Sequence, residues 1–427
     1  MISVQLTRLM ESSRVCGQFQ TMYGSREGAI VSQVERYTRV AKRFGRLFPD
    51  GARCIRFFSA PGRIEIGGNH TDHNHGMVLA AAISLDAVAA AAPNGTSTAR
   101  VCSEGFNPVE VDLNDLAPRE SELRTTAAVV RGVLARLRER GIPIEGFDAT
   151  ISSGVKTGSG LSSSAAFEVL LLTMTDSLFG GGQLDAKTRA RIAQNVENTY
   201  FGKPSGLMDQ MASSVGGLVW IDFRGGDAQV TPISYDFAHK GYAIVVVNPG
   251  GGHADLNDEY ASIPYEMKSV AALFGQETLR GIRVEQVESS VASLRERGAS
   301  DRAILRALHY FDENQRVAEQ ARALERDDLP RFLELIVESG ESSWKLLQNV
   351  YARRDSQSLA LALEIARRFL SGHGAWRVHG GGFEGTILCF VPTDKLGAFV
   401  RRMNGVFGDH CCDVLDIRAI GAAEIVD

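Results

Sequence analysis

Between Gly158 and Glu168 the chain reads Gly-Ser-Gly-Leu-Ser-Ser-Ser-Ala-Ala-Phe-Glu, a concentration of residue types suited to holding an anion. An extended segment, Phe147 to Ser152, precedes it, and the apolar run Val169-Leu170-Leu171-Leu172 follows, so the stretch reads as a loop entering a helix. The first turn of a helix presents unpaired backbone N–H groups and carries roughly half a positive charge. Gly158 and Gly160 let the backbone close around a phosphate, Ser162, Ser163 and Ser164 offer hydroxyl donors, and Ser159 and Leu161 complete the loop. A serine cap on an ordinary buried helix is the plainer reading, but two glycines and three consecutive serines exceed what a cap requires. The pattern is not a P-loop, because no Gly-Lys-Ser/Thr follows a glycine at the required spacing.

A second stretch, Ala60 to Gly76, packs Pro61, several glycines, Asp72 and the histidines His70, His73 and His75 into what reads as one turn-rich segment. The helical His-x-x-x-His spacing of a zinc site is absent, and no further ligand is evident. Imidazole and carboxylate groups suit a pocket that hydrogen-bonds hydroxyls, and loops on a rigid scaffold are where such pockets lie.

Both stretches need elements to position them. Residues 1 to about 52 read as helical, with Val34, Tyr37, Val40, Ala41 and Phe44 at helical spacing. A strand is expected at Arg53 to Phe58, a buried strand at Met77 to Ala92 and an amphipathic helix at Arg124 to Arg140. A further helix, Asp185 to Thr199, stops near Gly202-Lys203-Pro204, and a strand follows at Gly217 to Phe223. The turn Arg224 to Asp227 and a shift in composition suggest a boundary near residue 235, giving units 1–235 and 236–427. The second unit opens with the strand Tyr242 to Val247 and the loop Asn248 to His253, and is helical over most of 301 to 371. It closes with a glycine loop from Gly380 to Gly385, a strand at Thr386 to Val391, a helix at Asp394 to Val406 and a strand near Val414 to Ile417. Strands and helices mix without regular βαβ alternation, which favours an α+β fold over a Rossmann fold.

The bulk figures exclude several classes. A chain of 427 residues exceeds one ordinary core, and 44% hydrophobic with 23% charged residues is a globular composition. A net charge of −5 without a Lys/Arg stripe argues against nucleic acid as a partner, so the positive field an anion needs has to be supplied locally. No apolar run approaches the roughly 20 residues that cross a bilayer. The six cysteines lack Cys-x-x-Cys spacing and fit reduced thiols, and no signal-type segment is evident; a cytoplasmic protein is expected.

Taken together, the chain resembles the galactokinase branch of the GHMP small-molecule kinases, from about residue 37 to the end. The resemblance rests on Ala60-Pro61-Gly62-Arg63 through His70-Thr71-Asp72, on Gly160-Leu161-Ser162-Ser163-Ser164-Ala165, and on Gly380-Gly381-Gly382-Phe383. Glu197 through Gly206-Leu207-Met208-Asp209-Gln210, and His253 followed by Tyr260, match as well. It implies a ribosomal-protein-S5-domain-2-like N-terminal domain with the nucleotide and sugar motifs, joined to a ferredoxin-like C-terminal domain. It further implies a sugar 1-kinase using ATP and Mg²⁺, acting on galactose. Asp209 would be the base on the anomeric hydroxyl, and Arg63 would stabilise charge. Ser164 and Glu197 would hold Mg²⁺, and the loop from Gly158 to Ser164 would cradle the phosphates. Asn69, His70, Asp72 and Tyr260 would bind the sugar.

Departures from the family pattern leave two alternatives open. Asn69 stands where galactokinases carry a glutamate and His73 where they carry a tyrosine, a combination similar to galacturonate kinases. One alternative is a kinase of galacturonate or another C4-axial sugar: a carboxylate at sugar C6, which a glutamate would repel, could accept from an asparagine amide. The other alternative is a non-catalytic sugar sensor, against which the joint presence of Arg63, Ser164, Glu197 and Asp209 speaks. Glu65 replaces the usual asparagine of the first motif, Lys156 stands before the glycine loop and is expected to be exposed, and Glu384 replaces a glycine. Ser339-Gly340 stands where the family has a Ser-His pair. Oligomeric state is not legible.

Overall fold

The computed structural model describes residues 12–24, 28–156, 158–250 and 256–426. Two sheets organise them. The first joins β1 (Arg56–Gly67), β2 (Met77–Pro93), β3 (Thr98–Ser103), β4 (Val109–Asp112), β5 (Phe147–Ser153), β6 (Leu218–Asp222) and β7 (Gln229–Ile233). The second runs in the order β11-β8-β10-β9, from β8 (Tyr242–Val247), β9 (Ala375–His379), β10 (Thr386–Pro392) and β11 (Cys412–Leu415). Pairing is antiparallel except between β3 and β5, as an α+β fold requires.

Strand periodicity explains the layers. On β2, Ala87, Ala89 and Ala91 enter one core with Phe58, Ala149 and Ile151, against helices α3 (Thr126–Glu139), α4 (Ser163–Thr175) and α5 (Ala186–Val196). The intervening Val88, Ala90 and Ala92 face the opposite way, onto α1 (Ser13–Tyr23) and α2 (Ala29–Leu47) through Phe19, Tyr37 and Phe44. Because both faces are covered, β2 reads as a mostly apolar run, broken by Ser84 and Asp86, instead of an alternating one.

In the second sheet, Val245, Val247 and Cys389 pack one way, while Ile244, Val246 and Phe390 pack toward Ile64 and Ile66 of β1. That shared core fuses the two sheets. It includes Val317 of α8 (Asp301–Glu325) and Phe332 and Ile336 of α9 (Leu329–Ser342).

The expected second unit, 236–427, does not keep its own tail. The last strand, β12 (Ala423–Ile425), pairs with β1 of the first sheet, and Ile417 bridges to Ile83. Arg418, fully buried, donates to Asp86 at 3.0 Å, and Arg36 of α2 donates to the same carboxylate at 2.5 Å. One buried acid thus ties the N-terminal helices, the sheet and the chain's end together.

Two local expectations are corrected. Residues 60–67 are strand, not turn: β1 runs through Pro61 and Gly62 with register shifts at Pro61/Arg63 and Glu65/Gly67, the irregularities that accommodate proline within a sheet. The turn is confined to Gly68–Gly76, with a short 3₁₀ segment at Asp72–Asn74. The helix expected to reach Thr199 ends at Val196 and widens into a π turn, Glu197–Phe201, closed by Gly202 at φ 80°. Such turns recur at functional sites, and here one places Glu197. None of the six cysteines forms a disulfide. Among the described residues no helix is long and apolar enough to cross a membrane.

Candidate active site

The centre of the site is an arginine held on a carboxylate. Arg63, on β1, donates from Nε and Nη2 to the two oxygens of Asp209, each at 2.7 Å, and from Nη1 to the carbonyl of Gly160 at 2.5 Å. Asp209 lies in the first turn of α6 (Met208–Val215), and its Oδ2 also accepts from Ser162 Oγ at 2.6 Å. Burial alone would raise the Asp209 pKa, but the Arg63 charge and the Arg63 and Ser162 hydrogen bonds outweigh it, and the carboxyl is held below its ordinary value. Asp209 is therefore ionised at neutral pH and keeps a partly open face, its side chain 30% exposed.

The glycine loop reaches this pair through backbone geometry. Ser162 precedes α4 in the left-handed conformation (φ 61°) and makes no side-chain cap, so its hydroxyl is committed to Asp209 and not to the helix. Gly158 and Gly160 also have positive φ, and a Cβ on Gly160 would stand 2.7 Å from Thr386 Oγ1. Gly62 lets β1 lie against the loop: Arg63 N–H donates to Leu161 O at 3.0 Å, where a Cβ on Gly62 would stand 2.8 Å from that oxygen. Ser159 turns its hydroxyl back to Lys156 O at 2.6 Å, whereas Ser163 and Ser164 lie part-exposed in the first turn of α4. Lys156 is exposed, 3.4 Å from Asp413.

A second corner forms around Glu197. Its Oε1 accepts from Ser164 Oγ at 3.3 Å and from Lys203 Nζ at 3.1 Å, while its Oε2 accepts from Gln210 Nε2 at 2.7 Å. Gln210 donates also to Glu168 Oε2 at 3.2 Å; Glu168 Oε1 and Gln210 Oε1 are buried without partners. Burial, then the neighbouring Glu197, pushes the Glu168 carboxyl well above its ordinary value. A hydroxyl and a carboxylate oxygen 3.3 Å apart are hard donors that fit Mg²⁺, an ion that takes one or two protein oxygens and completes its shell with phosphates and water.

The remaining expected residues lie around the late glycine loop. Asn69, expected to read the sugar, is fully buried and its amide is consumed internally. It donates to Glu65 Oε1 (2.9 Å) and Gly380 O (2.6 Å) and accepts from Asn349 Nδ2 (2.8 Å) and Ser343 Oγ (3.2 Å). All four hydrogen-bonding positions are filled, so this side chain organises the pocket wall and has none left for a ligand. Glu65 is also paired with buried Arg377 at 2.7 Å.

His70 has φ 58° and places Nε2 3.1 Å from Gly381 O. A carbonyl only accepts, so Nε2 carries the hydrogen and Nδ1 is an acceptor. Burial, then the nearby His73, lowers the His70 pKa to about 3, and the ring is neutral. Asp72 accepts from His73 N–H at 2.9 Å and abuts Gly206, where any Cβ would overlap its carboxylate; this brings it to the loop leading into Asp209. Tyr260, at the start of α7 (Asn257–Leu273), packs edge-on against Phe383 and donates to Gly382 O at 3.3 Å. His253 lies outside the described residues. Glu384 has a buried Oε2 without a partner.

The structure thus brings Arg63, Asp209, Ser162, Ser164 and Glu197 into one connected site and sets His70, Asp72 and Tyr260 along its rim. Sequence reasoning missed Lys203, Gln210 and Glu168. Gln210 is adjacent to Asp209, and Lys203 is a basic residue between Glu197 and Asp209 in an acidic chain, a signal that was available.

Comparison with known proteins finds relatives in both sequence and fold. Residues 128–217 match the GHMP kinases N-terminal domain and residues 42–93 the galactokinase galactose-binding signature. A galactokinase of Glaesserella parasuis is 33% identical over 79% of this chain and 86% of its own length. One of Streptomyces coelicolor is 32% identical over 86% of this chain and 92% of its own. The galactokinase of Lactococcus lactis, solved with galactose, superposes with a TM-score of 0.80 over 91% of this chain and 99% of that one, at 24% identity. The mevalonate kinase of Methanococcus jannaschii shares the fold at a TM-score of 0.57 and 16% identity, over 84% of this chain and 98% of that one.

Proposed function

The chain belongs to the galactokinase family and is a sugar kinase, and from that premise we propose that it converts galactose and ATP to galactose 1-phosphate and ADP. The observation that carries the proposal is the bidentate Arg63–Asp209 pair, set between the glycine loop and the 60–72 stretch. The anomeric oxygen forms the new bond to the γ-phosphorus, the bond from that phosphorus to the β–γ bridging oxygen breaks, and the hydroxyl proton passes to Asp209.

A carboxylate held below its ordinary pKa is a weak base. It suits a loose transition state, in which the nucleophile's proton becomes acidic only late and the earlier task is orientation. Arg63 keeps its guanidinium fixed by three hydrogen bonds, a charge pre-set for the phosphoryl oxygens. Ser164 and Glu197 would hold Mg²⁺, which when bound neutralises phosphate charge. The loop from Gly158 to Ser164 supplies backbone N–H donors to the phosphates, with the Ser163 hydroxyl beside them. His70, Asp72 and Tyr260 contact the sugar hydroxyls.

Galacturonate was favoured by Asn69, and that support weakens: both amide hydrogens are donated to Glu65 and Gly380, leaving none for a sugar carboxylate. A silent sensor has no use for the connected set Arg63, Asp209, Ser164 and Glu197. Six cysteines with no disulfide among them fit a cytoplasmic setting. The test is ADP release from Mg-ATP with galactose, galacturonate, N-acetylgalactosamine, arabinose and glucose. Turnover with galactose and little with galacturonate is expected; the reverse preference would overturn the substrate, and no turnover with any sugar the activity.

A further inference from the structure

Lys203 has no part in the reaction just described, yet it is tied to Glu197 twice. Its backbone N–H donates to Glu197 O at 3.1 Å, closing the π turn, and its ammonium donates to Glu197 Oε1 at 3.1 Å. The other carboxylate oxygen is occupied by Gln210, itself fully buried and braced on Glu168. Glu197 therefore has one oxygen to offer, Oε1, and that is the oxygen shared with Ser164. Glu197 is 2% exposed, while the Lys203 side chain is 55% exposed. A buried carboxylate needs a counter-charge, and here it comes from a flexible chain that can swing into solvent. The same ammonium is near enough to Asp209 and Tyr260 for its charge to act on both, so it stands within the site.

Resting on the kinase reading, we propose that Lys203 is an exchangeable counter-ion: it neutralises Glu197 while the metal is absent, yields Oε1 to Mg²⁺, and then pairs with a phosphate oxygen of the nucleotide. A lysine suits this exchange because it is a single mobile point charge, whereas an arginine fork would hold the carboxylate more rigidly. Gln210 makes the exchange selective by keeping Oε2 out of it.

Calorimetry of ADP binding to the full chain, titrated across Mg²⁺ concentrations and repeated in excess chelator, tests this without catalysis. Lys203→Met removes the competing cation, so half-saturation should move to about two- to five-fold lower Mg²⁺, the range expected for an exposed ion pair. The same variant should bind ADP more weakly than wild type at saturating Mg²⁺, where the released ammonium pairs with phosphate, and about as well as wild type in chelator, where the ammonium stays on Glu197. Lys203→Arg should keep the affinity for ADP at saturating Mg²⁺. An unchanged or increased Mg²⁺ requirement in Lys203→Met would overturn the proposal. Failure of the wild type to bind ADP at any Mg²⁺ concentration would instead overturn the kinase reading beneath it.

Discussion

At the scale of single residues, the site is built by committing polar groups to one another until few remain for substrate. Ser162 gives up its capping role to hold Asp209, and Gln210 blocks half of Glu197. Asn69 is the fullest case. Asn69→Glu would restore the family's residue type, but a glutamate cannot donate to Gly380 O or Glu65, and it would set two carboxyls side by side in a buried wall. The variant is expected to lose about 3 kcal/mol of stability, because an uncompensated buried charge is costly. Urea unfolding would measure it. A variant as stable as wild type, with altered sugar preference, would show that residue 69 reads the sugar after all.

At the scale of elements, helices α8 and α9 clamp the end of β1. Glu313 of α8 accepts from Gly68 N–H at 2.9 Å and from Ser339 Oγ of α9 at 2.6 Å, and pairs with Arg316. Burial would raise its pKa, but Arg316, His309 and Arg377 outweigh it and draw the carboxyl from 4.5 down to about 2. A depressed acid stabilises the fold above its ordinary pKa and loses that contribution as pH falls toward the depressed value. Between pH 5 and pH 3 the wild type should therefore lose about 2 kcal/mol through this group, and Glu313→Gln should show an unfolding free energy flatter by that amount over the same interval. Equal slopes would contradict the clamp.

Elements of this kind were unevenly legible in the sequence. The strand at Tyr242 to Val247 and the buried face of Arg124 to Arg140 were readable because their periodicity reflects one packing environment. The path of β1 through Pro61 was not, since bulges that absorb a proline are decided by the partner strand. Motif order singles out Arg63, Glu197 and Asp209, and the structure pairs Arg63 with Asp209 and Glu197 with Ser164. The inward turn of Asn69 depends on Asn349 and Ser343, some 280 residues away in sequence, and no local pattern records it.

At the scale of the whole molecule, the site exists because the two sheets share a core. Ile64 and Ile66 of β1 meet Phe390 and Ile244 of the second sheet, which brings the Gly380 loop onto His70 and Asn69. The chain's last strand returns to β1, so neither half closes without the other. The proposed reaction has Asp209 direct an anomeric hydroxyl onto the γ-phosphate within this assembly. The direct measurement is ³¹P NMR of the products formed from Mg-ATP and galactose by wild type and by Asp209→Asn. An anomeric sugar phosphate is expected from the wild type. For the variant, kcat should fall by about 10²–10⁴-fold with ADP affinity retained. A phosphate on another hydroxyl, or near wild-type turnover by Asp209→Asn, would contradict it.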